Sequence, residues 1–314
     1  MPPLLRRTLP LLAAMVGLAL LFRCFVPMFL TPDNLLDLAQ QIAVNAILAF
    51  GMTLVILIGG IDLSVGAVVA LVGTVTTYAV LPTGWHLPIS LAMLAGLGSA
   101  LCFGLFHGTV AARTPIPPFI ITLGTMLIAR GFALRFNDGK PMRIPLDQHF
   151  FLSLGNEYLL KIPVPVWLML GAYAITAVIL HFTVFGRHLY AIGNSRWAAL
   201  YSGIRVRGCE IIVYAMASAL TCLAGFIHCS QLTSAAPASG LGFELNAIAA
   251  AVVGGASFQG GRGSMTGTLI GAIIIGILDK GLNQAGVHYS YQSILKGAVI
   301  LVAVWLDVRK QSKT

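Results

Sequence analysis

The chain has 314 residues, of which 58% are hydrophobic and only 9% are charged, and its mean hydropathy is +0.90. Soluble domains carry about 25% charged residues, so these side chains could not clothe a water-facing surface, and little is left for any separate soluble domain. The formal charge of +9 is scattered through connections rather than gathered in one stripe, which fits membrane topology rather than a nucleic-acid partner.

A span needs about 20 apolar residues to cross roughly 30 Å of hydrocarbon. Apolar runs fall at about 10–30, 39–59, 63–81, 88–111, 116–135, 164–185, 211–231, 246–258, 264–283 and 292–308. They predict an all-α integral membrane protein with about ten transmembrane or re-entrant helices, one polytopic domain over residues 1–314. The first run follows Arg6 and Arg7 in the manner of a signal peptide, but no small-residue cleavage site comes after it, so it is expected to persist as a span. Gly96, Ala100, Gly104 and Gly108 recur every four residues, as do Gly263, Gly267 and Gly271, a spacing that lets helices approach closely within or between subunits. The run at 116–135 opens with PIPPF, which resists helix, and the run at 246–258 is short enough to be re-entrant. The longest polar segment, 136–163, reads as an outer loop.

With the N-terminus inside, ten crossings return the C-terminus inside. Inner connections then hold Arg6, Arg7, Arg113, Arg187, Arg196, Arg205, Arg207, Arg262, Arg309, Lys310 and Lys313, against Arg135, Lys140, Arg143 and Lys161 outside, in keeping with the positive-inside rule. Arg23, Arg130, Lys280 and Lys296 lie within runs near their outer ends and are expected to snorkel outward. The cysteines Cys24, Cys102, Cys209, Cys222 and Cys229 have no metal-type spacing and read as small packing residues; no metal or cofactor is expected.

Three segments carry polar groups where apolar ones would be cheaper. In ILIGGIDLSVGAVVAL, Gly59 and Gly60 can end a helix, and Asp62 then falls where an N-cap belongs, with Ser64 as a local partner. Asp62 is either a cap in an inner turn or part of a broken helix lining a polar route. In SGLGFELNAIAAAVVGG, Gly240 and Gly242 precede Glu244 and Asn246, so a second glycine-preceded, acid-bearing helix start is expected. Paired broken helices in opposite halves of a chain point to a transport site. The third segment, FGRHLYAIGNSRWAALYSGIRVRG, is amphipathic and basic. Contact with anionic lipid accounts for its arginines, whereas AIGNSRWAALYSGI reads as a short helix made to dock on a protein. No phosphate-cradling GxxxxGK[ST] loop occurs, so energy must come from a partner or an ion gradient. His107, His181 and His228 stand singly in apolar runs and read as packing residues.

GGIDLSVGAVVAL, PPFIITLGTMLIARG, FGRHLYAIGNSRWAALYSGI, GFELNAIAAAVVGGASFQGGRGSMTGTLIGA and YQSILKGAVILVAVWLDVRKQ together resemble the permease subunits of bacterial ABC importers for ribose and related sugars, in order over nearly the whole chain. The resemblance implies a type II ABC importer-like permease fold in the inner membrane, with two permease chains, identical or different. It also implies a separate ABC ATPase on the cytoplasmic side and a periplasmic sugar-binding protein. Residues 186–204 would be the coupling helix, with Arg187, Tyr190, Gly193, Asn194, Arg196, Ala198, Ala199 and Gly203 as ATPase-coupling residues. This chain departs from the family where Gly193 is followed by Asn194 and Ser195, and where Asn246 replaces an aspartate.

A neutral sugar calls for hydrogen-bonding groups with few fixed charges. The candidate pathway residues are therefore Asn45, Thr53, Asp62, Ser64, Thr122, Thr125, Glu244 and Asn246. The alternatives are a branched-chain amino-acid permease of the same superfamily, which would need fixed complementary charge, and an ion-coupled carrier using Asp62 and Glu244. A membrane enzyme is disfavoured because no catalytic constellation is visible.

Overall fold

The computed structural model describes residues 3–311; Lys313 lies outside them. The chain is a helical assembly around α2 (Pro32–Leu57), a 26-residue helix about 39 Å long at 1.5 Å per residue. From Ile42 onward α2 is almost entirely apolar and buried by protein, as a helix stretch without a broad polar face must be, whereas its first turns carry Asp33, Asn34, Asp37, Gln40 and Gln41. Around it pack α7 (Val164–Phe182), α10 (Val206–Gln231), α11 (Phe243–Val253) and α12 (Met265–Gln284). Outside these, α1 (Pro3–Phe25) lies on α12, α4 (Ile89–Arg113) on α3 (Val65–Val80) and α10, α5 (Pro118–Arg135) on α3, and α13 (Tyr289–Gln311) on α11.

Six helices among the described residues are long and apolar enough to cross a membrane: α2, α4, α5, α7, α10 and α12. Two expected runs form shorter helices, α3 with 16 residues and α11 with 11. The proline cluster does not prevent α5. Its helix starts at Pro118, where a missing N–H costs nothing.

The four-residue glycine spacing serves packing inside the chain. A Cβ on Gly104 or Gly108 would collide with Ser218 or with the backbone at Ile211 of α10, and one on Gly267 or Gly271 with carbonyl groups of Gly254 or Ala250. These seams join α4 to α10 and α12 to α11. Cys209, Cys222 and Cys229 are buried as expected, whereas Cys24 and Cys102 are exposed.

The 136–163 segment is more structured than a loop. It holds β1 (Met142–Arg143), α6 (His149–Asn156) and a tight hairpin of β2 (Tyr158–Leu159) with β3 (Ile162–Pro163). The hairpin turns through Leu160 and Lys161, both in the left-handed region, as a two-residue turn requires. β1 pairs with β4 (Ser234–Ala235) just after α10. Gln40 Nε2 donates to Gly155 O and Asn156 Nδ2 to Ser230 O, so this cap ties α6 to the start of α2 and the end of α10. The opposite end carries Arg113, Arg187, Arg196, Arg205, Arg207 and Arg262.

Candidate functional site

Helix α2 stops at Leu57, and Gly59, at φ +79°, turns the chain into an extended stretch that reaches α3. The α3 helix begins at Val65 with Ser64 in the cap position, and Ser64 makes no side-chain cap bond. Asp62 is thus not the cap expected from its spacing. Its Oδ1 accepts the Ser64 N–H at 2.8 Å and the Ser64 hydroxyl at 2.6 Å, a local turn of the kind short acidic side chains form. The other oxygen, Oδ2, faces Nδ1 of His107 on α4 across 3.8 Å. His107 Nε2 lies 2.6 Å from Thr125 Oγ1 on α5, and that hydroxyl donates to Ile121 O. One helix turn away, Thr122 Oγ1 accepts the Leu63 N–H and donates to Ile61 O. The break before α3 is therefore pinned to α4 and α5 by a buried polar chain.

Two members of this cluster could not be inferred from spacing. His107 looked solitary because its partners lie 45 and 18 residues away. Among the described residues the Tyr214 hydroxyl on α10 has no hydrogen-bond partner, as is true of His107 Nδ1, and the two rings meet edge-on at 6.1 Å. Gly60 leaves room for Tyr214, since a Cβ there would sit 2.5 Å from the hydroxyl. Tyr214 also lines a cavity of about 500 Å³ that opens at the arginine-bearing end beside Arg113, Arg196 and Arg207.

The second break meets the first. Gly242, at φ +82°, is the N-terminal boundary of α11, so Glu244 and Asn246 lie inside the helix rather than before it. Glu244 Oε1 accepts the Gly242 N–H at 3.3 Å. A Cβ on Gly66 would collide with Gly240 O and reach 2.5 Å from Glu244 Oε2, and one on Gly240 would collide with Gly66 O. The N-terminal ends of α3 and α11 therefore abut backbone to backbone, which only paired glycines permit. Gly73 of α3 lies against Ala235, so residues 235–240 run antiparallel to α3 from the hairpin end. The 58–64 stretch enters from the arginine-bearing end.

Arg130 does not snorkel. Its Nη1 donates to the carbonyls of Pro237 and Ser239. These carbonyls lie in the irregular turn between β4 and α11, which has no helical ladder to satisfy them, and the guanidinium supplies the donor. Asn45 and Thr53, on α2, are not in the Asp62 cluster. Thr53 Oγ1 meets Thr268 Oγ1 of α12 at 2.6 Å, while Asn45 Oδ1 is buried without a hydrogen-bond partner among the described residues.

The 186–204 region is two helices, not one. α8 (Val184–Asn194) and α9 (Arg196–Tyr201) are separated at Ser195, whose side chain accepts the Ala198 N–H at 3.3 Å. The residues singled out from sequence divide by direction. Gly193 packs inward, where a Cβ would collide with Leu57 O and Gly261 N; Ala199 is buried; Tyr190 donates to Gly263 O at 2.8 Å. Arg196 pairs with Glu210 of α10 through contacts of 2.8 and 3.2 Å, and this bond pushes the guanidinium pKa up. Arg187, Asn194, Ala198 and Gly203 are exposed, beside Trp197 and Tyr201, which are 65% and 84% exposed.

A family model described as "Branched-chain amino acid transport system / permease component" matches residues 34–304. The chain belongs to this permease family. It is 46% identical over 286 residues to the ribose import permease protein of Bacillus subtilis (strain 168), covering 91% of this chain and 88% of that one. It is 42% identical over 302 residues to the ribose import permease protein of Escherichia coli (strain K12), covering 96% and 93%. The D-allose transport system permease protein of Escherichia coli (strain K12) is 38% identical over 284 residues. For a permease of this family, several helices of membrane length make the chain a multi-pass membrane protein.

Proposed function

We propose that this permease is the membrane subunit of an ATP-driven importer that carries a monosaccharide across the inner membrane. The supporting observation is near full-length similarity at 42–46% identity to ribose import permeases, with allose and arabinose permeases among further relatives. It is a transport component rather than an enzyme. A separate ABC ATPase supplies the energy, a periplasmic binding protein delivers the sugar, and a second permease chain completes the pore.

The chain makes about ten membrane segments in one type II importer-like domain, with both termini cytoplasmic. The six arginines gathered at one end support the reading of that end as cytoplasmic. There the exposed Trp197, Ala198 and Tyr201 of α9, flanked by Arg187, Asn194 and Gly203, form the ATPase seat. Gly193 and Tyr190 carry motion inward, because they touch Leu57, Gly261 and Gly263, the hinges ahead of α3 and α12. The abutting starts of α3 and α11, with Asp62, Ser64, Thr122, Thr125, Glu244 and Asn246 around them, form the midplane gate. Asn45 and Thr53 line its approach.

Uptake of labelled D-ribose into proteoliposomes tests this. ATP-dependent uptake requiring both partner proteins supports it. Uptake by this chain alone on a proton or sodium gradient would mean an ion-coupled carrier, and ATP-driven uptake of leucine in place of sugar would mean an amino-acid permease.

A further inference from the structure

At the hairpin end, opposite the arginines, α2, α12 and α13 border an open cavity of about 480 Å³, in which Gln41, Asn283 and Tyr289 are exposed; its volume is within the roughly 300–1,000 Å³ of small-molecule sites. Every side chain lining it can form hydrogen bonds, in a chain with 58% hydrophobic residues. Its fixed charges are already matched. Lys296 Nζ lies 2.9 Å from Asp279 Oδ1. Lys280 Nζ donates to Asn34 O at 3.1 Å and faces Asp37 Oδ2 at 3.9 Å. Neither lysine snorkels to bulk water, and neither is free to take a carboxylate or phosphate.

The groups left over are neutral. Gln41 and Asn283 have no side-chain partner among the described residues, and each offers two donors and an acceptor. Tyr289, 73% exposed, puts an aromatic ring at the same cavity. Matched charges, free amides and an aromatic ring suit a solute that carries hydroxyls and no net charge. Asp37, Gln41 and Asn45 are four residues apart, so they share one face of α2. The polar face thus continues one turn below the cavity to Asn45, whose buried oxygen lacks a hydrogen-bond partner among the described residues.

We propose that this cavity is a binding site for a neutral polyhydroxylated solute, held by Gln41 and Asn283 against Tyr289, with Asn45 as the next contact inward. It deepens the sugar-permease reading and rests on it, by placing the first station of an incoming sugar on this chain.

The test uses the whole complex, permease with its ATPase and binding protein, in proteoliposomes, with D-ribose as the probe. Gln41→Leu and Asn283→Leu should each lower D-ribose uptake at least about fivefold, while ATP hydrolysis stimulated by the binding protein stays within twofold of the parent. Gln41→Asn should recover part of the uptake. Saturation-transfer NMR of D-ribose on the permease in nanodiscs should show contact that both leucine variants lose. If a leucine variant fails to assemble, Asn283→Cys in a Cys24→Ser, Cys102→Ser background replaces it. Having lost the Asn283 amide, that chain should transport at a reduced rate, a bulky thiol reagent should abolish what remains, and D-ribose should slow the labelling. If the parent moves D-ribose and the variants keep pace with unchanged saturation transfer, the site is refuted while the permease reading stands. If the parent moves no sugar at all, both fall.

Discussion

Asp62 separates a structural role from a transport role, and the structure sets the size of the effect. Its Oδ1 accepts both the backbone N–H and the hydroxyl of Ser64, and Ser64 is 1% exposed. Asp62→Leu removes that shared acceptor, leaving two buried donors unsatisfied at about 1–3 kcal/mol each. The expected loss is therefore on the order of 2–6 kcal/mol, a large share of a typical 5–15 kcal/mol stability. At roughly 2 °C per kcal/mol, a value for large domains, the midpoint should fall by at least about 4 °C. Asp62→Asn keeps an acceptor for Ser64 and removes the charge facing His107, so its midpoint should stay within about 1 °C. Thermal unfolding in detergent, followed by fluorescence-detected gel filtration, reads both. A leucine variant as stable as the parent would refute the bonding deduced for the turn. Sugar uptake by the stable asparagine variant then answers the second question: reduced uptake assigns the charge a part in transport, and normal uptake leaves Asp62 with the turn alone.

Gly66→Ala should destabilise the chain by about 1–3 kcal/mol, because its methyl group meets Gly240 O and Glu244; unfolding midpoints test it, and an unchanged midpoint removes the abutting helix starts. Gly193→Leu should lower stability before any partner is added, whereas Trp197→Asp should leave the isolated permease intact and weaken ATPase co-purification. Equal stability of the two variants would contradict the inward and outward directions found for these residues. Arg196→Ala leaves Glu210, 7% exposed, without its partner and should cost about 1–3 kcal/mol. Adding Glu210→Gln should recover part of that loss in the same unfolding assay.

Much of the site was readable in advance at the level of segments and hidden at the level of contacts. The glycines before Asp62 and Glu244 marked two helix starts because glycine adopts the positive φ that such breaks need. Neither start fell on the expected residue, since a boundary is set by which N–H groups find partners, as Ser64 does with Asp62. The 186–204 segment was legible as amphipathic. Its division at Ser195 and the inward direction of Gly193 depend on where Leu57 and Gly261 arrive, chain positions more than 60 residues away on either side. Likewise, Arg130, Lys280 and Lys296 read as snorkelling cations because their acceptors, at Pro237, Asn34 and Asp279, belong to other elements.

Composition and the spacing of apolar residues determined by themselves that this chain lives in a bilayer as packed helices, because so few charges leave no other solvent. The ordered motifs determined its kinship, since a run of shared segments over nearly the full length does not arise by chance. Tertiary structure alone decided that Asp62 meets His107, that Gly66 meets Gly240, and that Gln41 and Asn283 line one cavity. The physical reason is that a helix satisfies its own backbone from local sequence, whereas a buried side chain must find its partner on whichever element packing brings beside it.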